Sequence, residues 1–159
     1  MDNLVLREAT LEDAIRLKTL YLDMYTFLGN FSLPYSMDEE SLEDILKILI
    51  KAKTTTILVA EVEDDMYGFI TMEVAKLDRK LTLEPTNILG FIRDLYIVPE
   101  KRGMGLAHRI LQQAEDLLLD IGATAIECNV LVDNLDAVNF WESKGYRKMA
   151  HVMYKRINS

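Results

Sequence analysis

Polar and apolar positions alternate in some stretches of the chain and recur every three to four residues in others. Strands and helices therefore follow one another along it. LVLREA, Leu4 to Ala9, alternates and predicts a strand. Thr10 opens TLED, a capping-box pattern with Asp13 in place of the usual Glu. The helix it starts carries Ala14, Leu17, Leu20, Tyr21, Met24 and Leu28 at helical spacing and ends at Gly29-Asn30. FSLPYS is a loop, and a second helix is predicted from about Asp38 to Lys51, with Leu42, Ile45, Leu46 and Leu49 on one face. TTTILVAEV predicts a β-branched strand, EDD a turn and MYGFITMEVAKL the antiparallel return. After the polar DRKLTLEPTN comes ILGFIRDLYIV, a long strand from Ile88 to Val98 stopped by Pro99. A third helix is predicted from about Gly103 to Asp120, ending at Gly122, and TAIECNVLV predicts another strand. Asp133 or Asn134 caps a helix running to about Lys144, with Gly145 placed as a left-handed C-terminal residue. YRKMAHVMYKRI predicts a final strand. The order β-α-α-β-β-β-α-β-α-β, without repeat, linker or low-complexity tract, predicts one mixed α/β domain over residues 1–159.

Composition narrows the partners. The chain of 159 residues has 26 acidic and 18 basic side chains, a formal net charge of -8. That balance argues against nucleic acid, which wants a basic face, and leans mildly toward cationic small molecules or basic proteins. No apolar run approaches the ~20 residues of a membrane span, so no membrane partner is expected. MDNLVLREAT lacks the basic and long apolar regions of a signal peptide, and the single Cys128 rules out an internal disulfide. Both point to a reducing, cytoplasmic setting. His108 and His151 have no partners at metal-ligand spacing, so no metal is expected.

The stretch RGMGLAHRIL, Arg102 to Leu111, holds two of the seven glycines, one residue apart, and runs straight into a helical pattern. It does not fit the phosphate loop G-x-x-x-x-G-K-[ST], and a dinucleotide G-x-G-x-x-G fails at its third glycine, where His108 stands. Read as R-x-x-G-x-A, it places unpaired backbone N–H groups and the positive helix end under a pyrophosphate. Gly103 and Gly105 let the backbone approach, Ala107 is small, and Lys101, Arg102 and Arg109 add positive charge. A glycine-softened turn between strand and helix accounts for the same spacing.

VPEKRGMGLAHRILQQAE resembles the coenzyme-A-binding motif of the GNAT acetyltransferase superfamily, R/Q-x-x-G-x-G/A after the fourth strand. VDNLDAVNFWESKGYRKM resembles that family's second motif, an Asn before a helix that ends F-Y-E-K-x-G-F. The resemblance implies an α/β (α+β) GNAT fold: one domain with a mixed, mostly antiparallel central sheet, splayed between strands 4 and 5 and flanked by four helices. It implies acetyl-CoA as co-substrate, with the backbone of Leu95, Tyr96 and Ile97 along the pantetheine arm. The pyrophosphate would lie on the segment Arg102, Gly103, Met104, Gly105, Leu106, Ala107 and His108. Asn134 and Trp141 would meet the cofactor arm. An amine would attack the thioester directly in a ternary complex, one fourth-strand N–H polarising the carbonyl.

Two positions depart from the family pattern. Trp141 replaces a tyrosine proposed to protonate the departing thiolate, which leaves Tyr146, or Tyr154, as the acid; packing in the core explains Trp141 equally. On the fourth strand, alternation puts Phe91, Arg93 and Leu95 toward the acceptor, with Arg93 where relatives carry a Glu base. Asp94 is the candidate base, provided that a bulge turns it to that face. Arg93 would bind an acceptor carboxylate or phosphate, a surface ion pair being the other reading. Tyr25 and Phe31, with Phe27 and Tyr35, would wall the acceptor pocket; core packing explains the same aromatics. The expected function is acetyl transfer to a primary amine of a small molecule or amino-acid-like acceptor. The alternatives are a non-catalytic acyl-CoA-binding regulatory module, a protein or peptide N-acetyltransferase, and a transferase of longer acyl groups. Relatives of this kind are often homodimers.

Overall fold

The computed structural model describes residues 3–157. The chain divides into two compact units, one ending at Asn129 and the other beginning at Val130. The first unit carries β1 (Leu4–Glu8), α1 (Ala14–Leu28), α2 (Glu39–Lys51), β2 (Thr55–Val62), β3 (Asp65–Lys76), β4 (Ile88–Ile97), α3 (Leu106–Asp120) and β5 (Ala125–Cys128). The five strands form one sheet in chain order, antiparallel throughout except for the parallel pair β4–β5. β2, β3 and β4 follow one another directly, whereas β1 reaches β2 only after α1 and α2. At the β2–β3 turn Glu63 and Asp64 take φ of 52° and 69°, the left-handed pair a tight hairpin requires. β4 and β5 lie parallel because α3 intervenes as their crossover.

Each face of the sheet has its own core. On one, Leu17, Leu20, Tyr21 and Met24 of α1 and Leu42 and Leu46 of α2 pack on Ile57, Val59, Phe69 and Tyr96. On the other, α3 buries Leu106, Ile110, Leu111, Ala114 and Leu118, all at most 1% exposed, at helical spacing. Gly90 of β4 admits that helix: a Cβ there would stand 2.8 Å from Leu118 Cδ1. The start of α1 is tied down electrostatically. Asp13 accepts from the Thr10 backbone N–H at 2.7 Å and receives both terminal nitrogens of Arg7, at 2.7 and 2.9 Å. Glu61 of β2 takes Arg7 and Arg16, each at 2.8 Å.

The second unit holds α4 (Leu135–Ser143), capped by the Asn134 side chain, which accepts from the Ala137 N–H at 3.3 Å. Gly145, at φ 88°, closes the helix with its N–H on the Glu142 carbonyl.

Three boundaries differ from the sequence expectation. The third helix starts at Leu106 rather than Gly103, because Gly103 and Gly105 take φ of 74° and 80°, outside helical backbone. β5 spans four residues, as only Ala125 to Cys128 find partners on β4. The expected last strand is absent among the described residues: Tyr146 to Ile157 join no ladder. Alternation marks a strand only where a partner edge and a face to bury exist, and Met149, Val152, Met153 and Ile157 are 77–89% exposed.

Candidate active site

β4 is interrupted at Arg93. Its ladder with β3 runs Phe91↔Glu73 and Met72↔Ile92, then resumes at Thr71↔Asp94, so Arg93 is an extra residue facing no partner. The bulge breaks the period-two phase. Opposed residues in an antiparallel pair share a face, so Phe91, Asp94 and Tyr96 lie on the α1–α2 side with Glu73, Thr71 and Phe69. Strict alternation put Leu95 on this face; after the bulge Leu95 pairs with Ile70 on the other. Asp94 takes its place.

Asp94 sits partly buried under α1. Tyr21 donates its phenol to Asp94 Oδ2 at 3.1 Å and shares a second hydrogen bond with the Thr71 hydroxyl. Tyr21 itself is stacked on Phe69, ring centres 4.3 Å apart. Burial pushes the Asp94 carboxyl up to about 6; the Tyr21 and Thr71 hydroxyls pull it back, Glu73 adds to the rise and Arg93 opposes it. Tyr25, partly buried on α1, feels the same carboxylate, and burial together with that charge raises its phenol. Arg93 is engaged: its Nε donates to Glu73 Oε2 at 2.6 Å and its guanidinium lies 5.0 Å from the Phe91 ring centre. A partly buried carboxyl that titrates near neutral pH is suited to taking a proton from an ammonium group.

The β4–β5 ladder stops just before the bulge. Its last pair is Ile92↔Cys128, so from Arg93 to Ile97 that edge of β4 has no β5 partner. This is the divergence of strands 4 and 5 in structural terms. The segment leads through the turn Pro99–Lys101 into Arg102, Gly103, Met104 and Gly105, all exposed, and then into the 15 residues of α3. Gly105 caps α3 without a side chain, no acidic residue occupies its first turn, and a Cβ on Gly103 or Gly105 would meet nothing within 4 Å. The positive helix end and the open glycine backbone fit a pyrophosphate, and the unladdered β4 edge fits an extended amide-bearing arm. Positive φ by itself accounts for glycine at both positions.

The basic side chains nearby turn elsewhere. Arg102 Nε donates to the Ile97 carbonyl at 2.9 Å, and its guanidinium lies 4.6 Å from the Phe27 ring centre and 5.5 Å from that of Tyr96. Lys101 Nζ lies 4.4 Å over Tyr67. Phe31 meets Phe27 edge to face at 5.2 Å, which groups it with Arg102, whereas Tyr25 belongs with Asp94. His108 is exposed on α3. In the second unit Trp141 is buried, edge-on to Phe140 and Tyr146 at 5.4 and 4.9 Å, which is the packing reading of that tryptophan. Asn134 is buried as the α4 cap. Among the described residues no three His, Cys, Asp or Glu side chains converge as a metal site would need.

Sequence reasoning missed Tyr21, Thr71 and Glu73. Tyr21 read as one more apolar position of the first helix and Thr71 as a β-branched strand residue. Their hydroxyls acquire meaning only once the bulge brings Asp94 to the Tyr21 phenol.

Comparisons with known proteins bear on this arrangement. Over 72 residues the chain is 36% identical to N-alpha-acetyltransferase 30 of Schizosaccharomyces pombe; the match spans 45% of either chain, so less than half of that relative is covered. A mutant of the BH1408 protein from Bacillus halodurans shares the fold with a TM-score of 0.84, over 97% of this chain and 99% of that one, at 20% identity. An aminoglycoside N-acetyltransferase, AAC(6')-Iy in complex with CoA, has a TM-score of 0.78 over 98% of this chain and 95% of its own, at 11% identity. The family model described as acetyltransferase (GNAT) family matches residues 16–146, most of the chain, and the chain belongs to that family.

Proposed function

We propose that the protein is an acetyl-CoA-dependent N-acetyltransferase that acetylates a primary amine of a small molecule by direct attack. The observation that carries this reading is Asp94, turned by the bulge to the α1 side beside the point where β4 and β5 part. Bound acetyl-CoA supplies the acetyl group as a thioester, the amine nitrogen forming the C–N bond as the C–S bond breaks. Gly103 to His108 hold the pyrophosphate on backbone N–H groups, and the β4 edge from Leu95 to Ile97 pairs with the pantetheine arm. Asp94 takes one proton from the incoming ammonium and returns it to solvent after the reaction. The amine gives up its second proton as the amide forms, and that proton ends on the released thiol. Because a thiol has a pKa near 8.5, its thiolate leaves without an obligatory acid. Arg93 with Glu73 and Tyr25 line the acceptor side. Since Glu73 already holds Arg93, the acceptor side carries no net positive charge at neutral pH, which suits a cationic amine. A reducing cytoplasm remains the setting proposed.

Free-thiol release from acetyl-CoA, measured against amino acids, polyamines, aminoglycosides and basic peptides, tests the reading. Turnover with one acceptor class, abolished in Gly105→Glu, supports it; tight acetyl-CoA binding without turnover on any acceptor speaks for a binding module instead. A second reading, acetylation of a peptide N-terminus, has the similarity to N-alpha-acetyltransferase 30 in its favour, and selective turnover of the peptides would establish it.

A further inference from the structure

Two hydroxyl groups stand where apolar side chains would pack as well. Tyr21 and Thr71 are 4% and 2% exposed, inside the cluster of Leu17, Leu20, Met24, Ile57 and Phe69. Burying a hydroxyl is unfavourable unless it is hydrogen-bonded, and Phe and Val would fill the same volumes without that demand. Both hydroxyls meet each other, and Tyr21 also meets Asp94. We infer that Tyr21, backed by Thr71, is the positioning residue of this site: its phenol holds Asp94 Oδ2 and leaves the second carboxylate oxygen for the acceptor amine.

The other groups that face Asp94 do not fill this role. Glu73 of β3 is a like charge and disfavours the ionised carboxylate. Arg93 of β4 favours it but is committed to Glu73 at 2.6 Å. Tyr25 of α1 is itself raised by the Asp94 charge. Tyr21 is the neighbour that donates to Oδ2. With the carboxylate ionised, Thr71 donates to Tyr21 and Tyr21 to Asp94, so each hydroxyl proton has an acceptor and the bonds reinforce one another. Once Asp94 is protonated that directed chain loses its charged end. The two hydroxyls thus oppose the desolvation of Asp94, keep it a carboxylate at neutral pH, and fix its rotamer against β4.

This inference rests on Asp94 being the base, and its test separates the two. The Asp94 carboxyl carbon is titrated by carbon-13 NMR in the wild type, Tyr21→Phe and Thr71→Val, with folding checked by near-ultraviolet circular dichroism. Tyr21→Phe keeps the ring on Phe69, and Thr71→Val keeps the branched shape. In both variants the Asp94 midpoint is expected to rise, by roughly one pH unit for Tyr21→Phe. The acidic limb of kcat/KM is expected to rise with it, while acetyl-CoA binding stays unchanged. An unmoved Asp94 midpoint in either folded variant overturns the positioning role. A midpoint that rises while the kcat/KM limb stays put sustains the hold of Tyr21 on Asp94 and removes Asp94 as the base. If Tyr21→Phe does not fold, Thr71→Val decides by the same readings.

Discussion

Asp94 and Asp13 are both partly or wholly buried carboxyls, and their surroundings push them in opposite directions. Asp94 lies among a phenol, a threonine hydroxyl and the like charge of Glu73, and burial raises it to about 6. Asp13 faces the Arg7 guanidinium, whose hydrogen bonds hold it down at about 2. For Asp94 the folded value lies above the unfolded one, so its contribution to stability is present at low pH and is lost as pH rises through about 6. For Asp13 the sign reverses: its contribution is present above pH ~4 and is lost as pH falls toward about 2. Asp94→Asn should therefore leave acetyl-CoA affinity in place and lower kcat by about 10² to 10⁴, measured by thiol release. Asp13→Ala leaves Arg7 short of a partner and the Thr10 N–H without its carboxylate acceptor. Urea unfolding at pH 7 should show a loss of about 3 kcal/mol, and at pH 2 most of the difference from wild type should vanish.

At the level of elements, one added residue decides what β4 presents. Arg93 shifts the phase, so Asp94 joins Phe91 on the α1 side while Leu95 and Ile97 continue the apolar face opposite Ile70 and Gly68. Both faces of β4 are largely buried, so the strand is apolar almost throughout and its pattern carries no mark of the phase change. The glycine turn before α3 has its own signature. Gly105 sits at φ 80° with open space around its would-be Cβ, so Gly105→Ala should cost about 1 kcal/mol in backbone strain and nothing in clashes. Gly105→Glu adds a carboxylate at the positive end of α3, where the pyrophosphate would lie. Calorimetric titration with acetyl-CoA should show retained binding for the alanine variant, weakened by less than tenfold, and none for the glutamate variant. Equal binding by both would remove the anion from this loop.

For the whole molecule, the net charge of -8 sets a field that draws cations and repels anions. If the acceptor is a polyamine or a basic peptide, kcat/KM should fall several-fold between 20 mM and 500 mM salt; a neutral amine should show little change. The hydrophobic period had already marked the helices and hairpin strands, because an amphipathic stripe or an alternating face is a local property of the chain. The loop at Gly103–Gly105 was legible for the same reason: positive φ and a bare helix end are local demands that glycine meets. The final strand was not, since YRKMAHVMYKRI has the pattern but a ladder depends on a distant edge. The bulge was not either, because two registers of β4 would bury equally apolar residues and only pairing with β3 selects one. What the sequence determined by itself was the helices, the first five strands, the glycine turn before α3 and the family motif around it. What tertiary structure alone decided was which side chains meet: Tyr21, Thr71 and Asp94 come from three elements up to 73 positions apart, and no local rule brings them together.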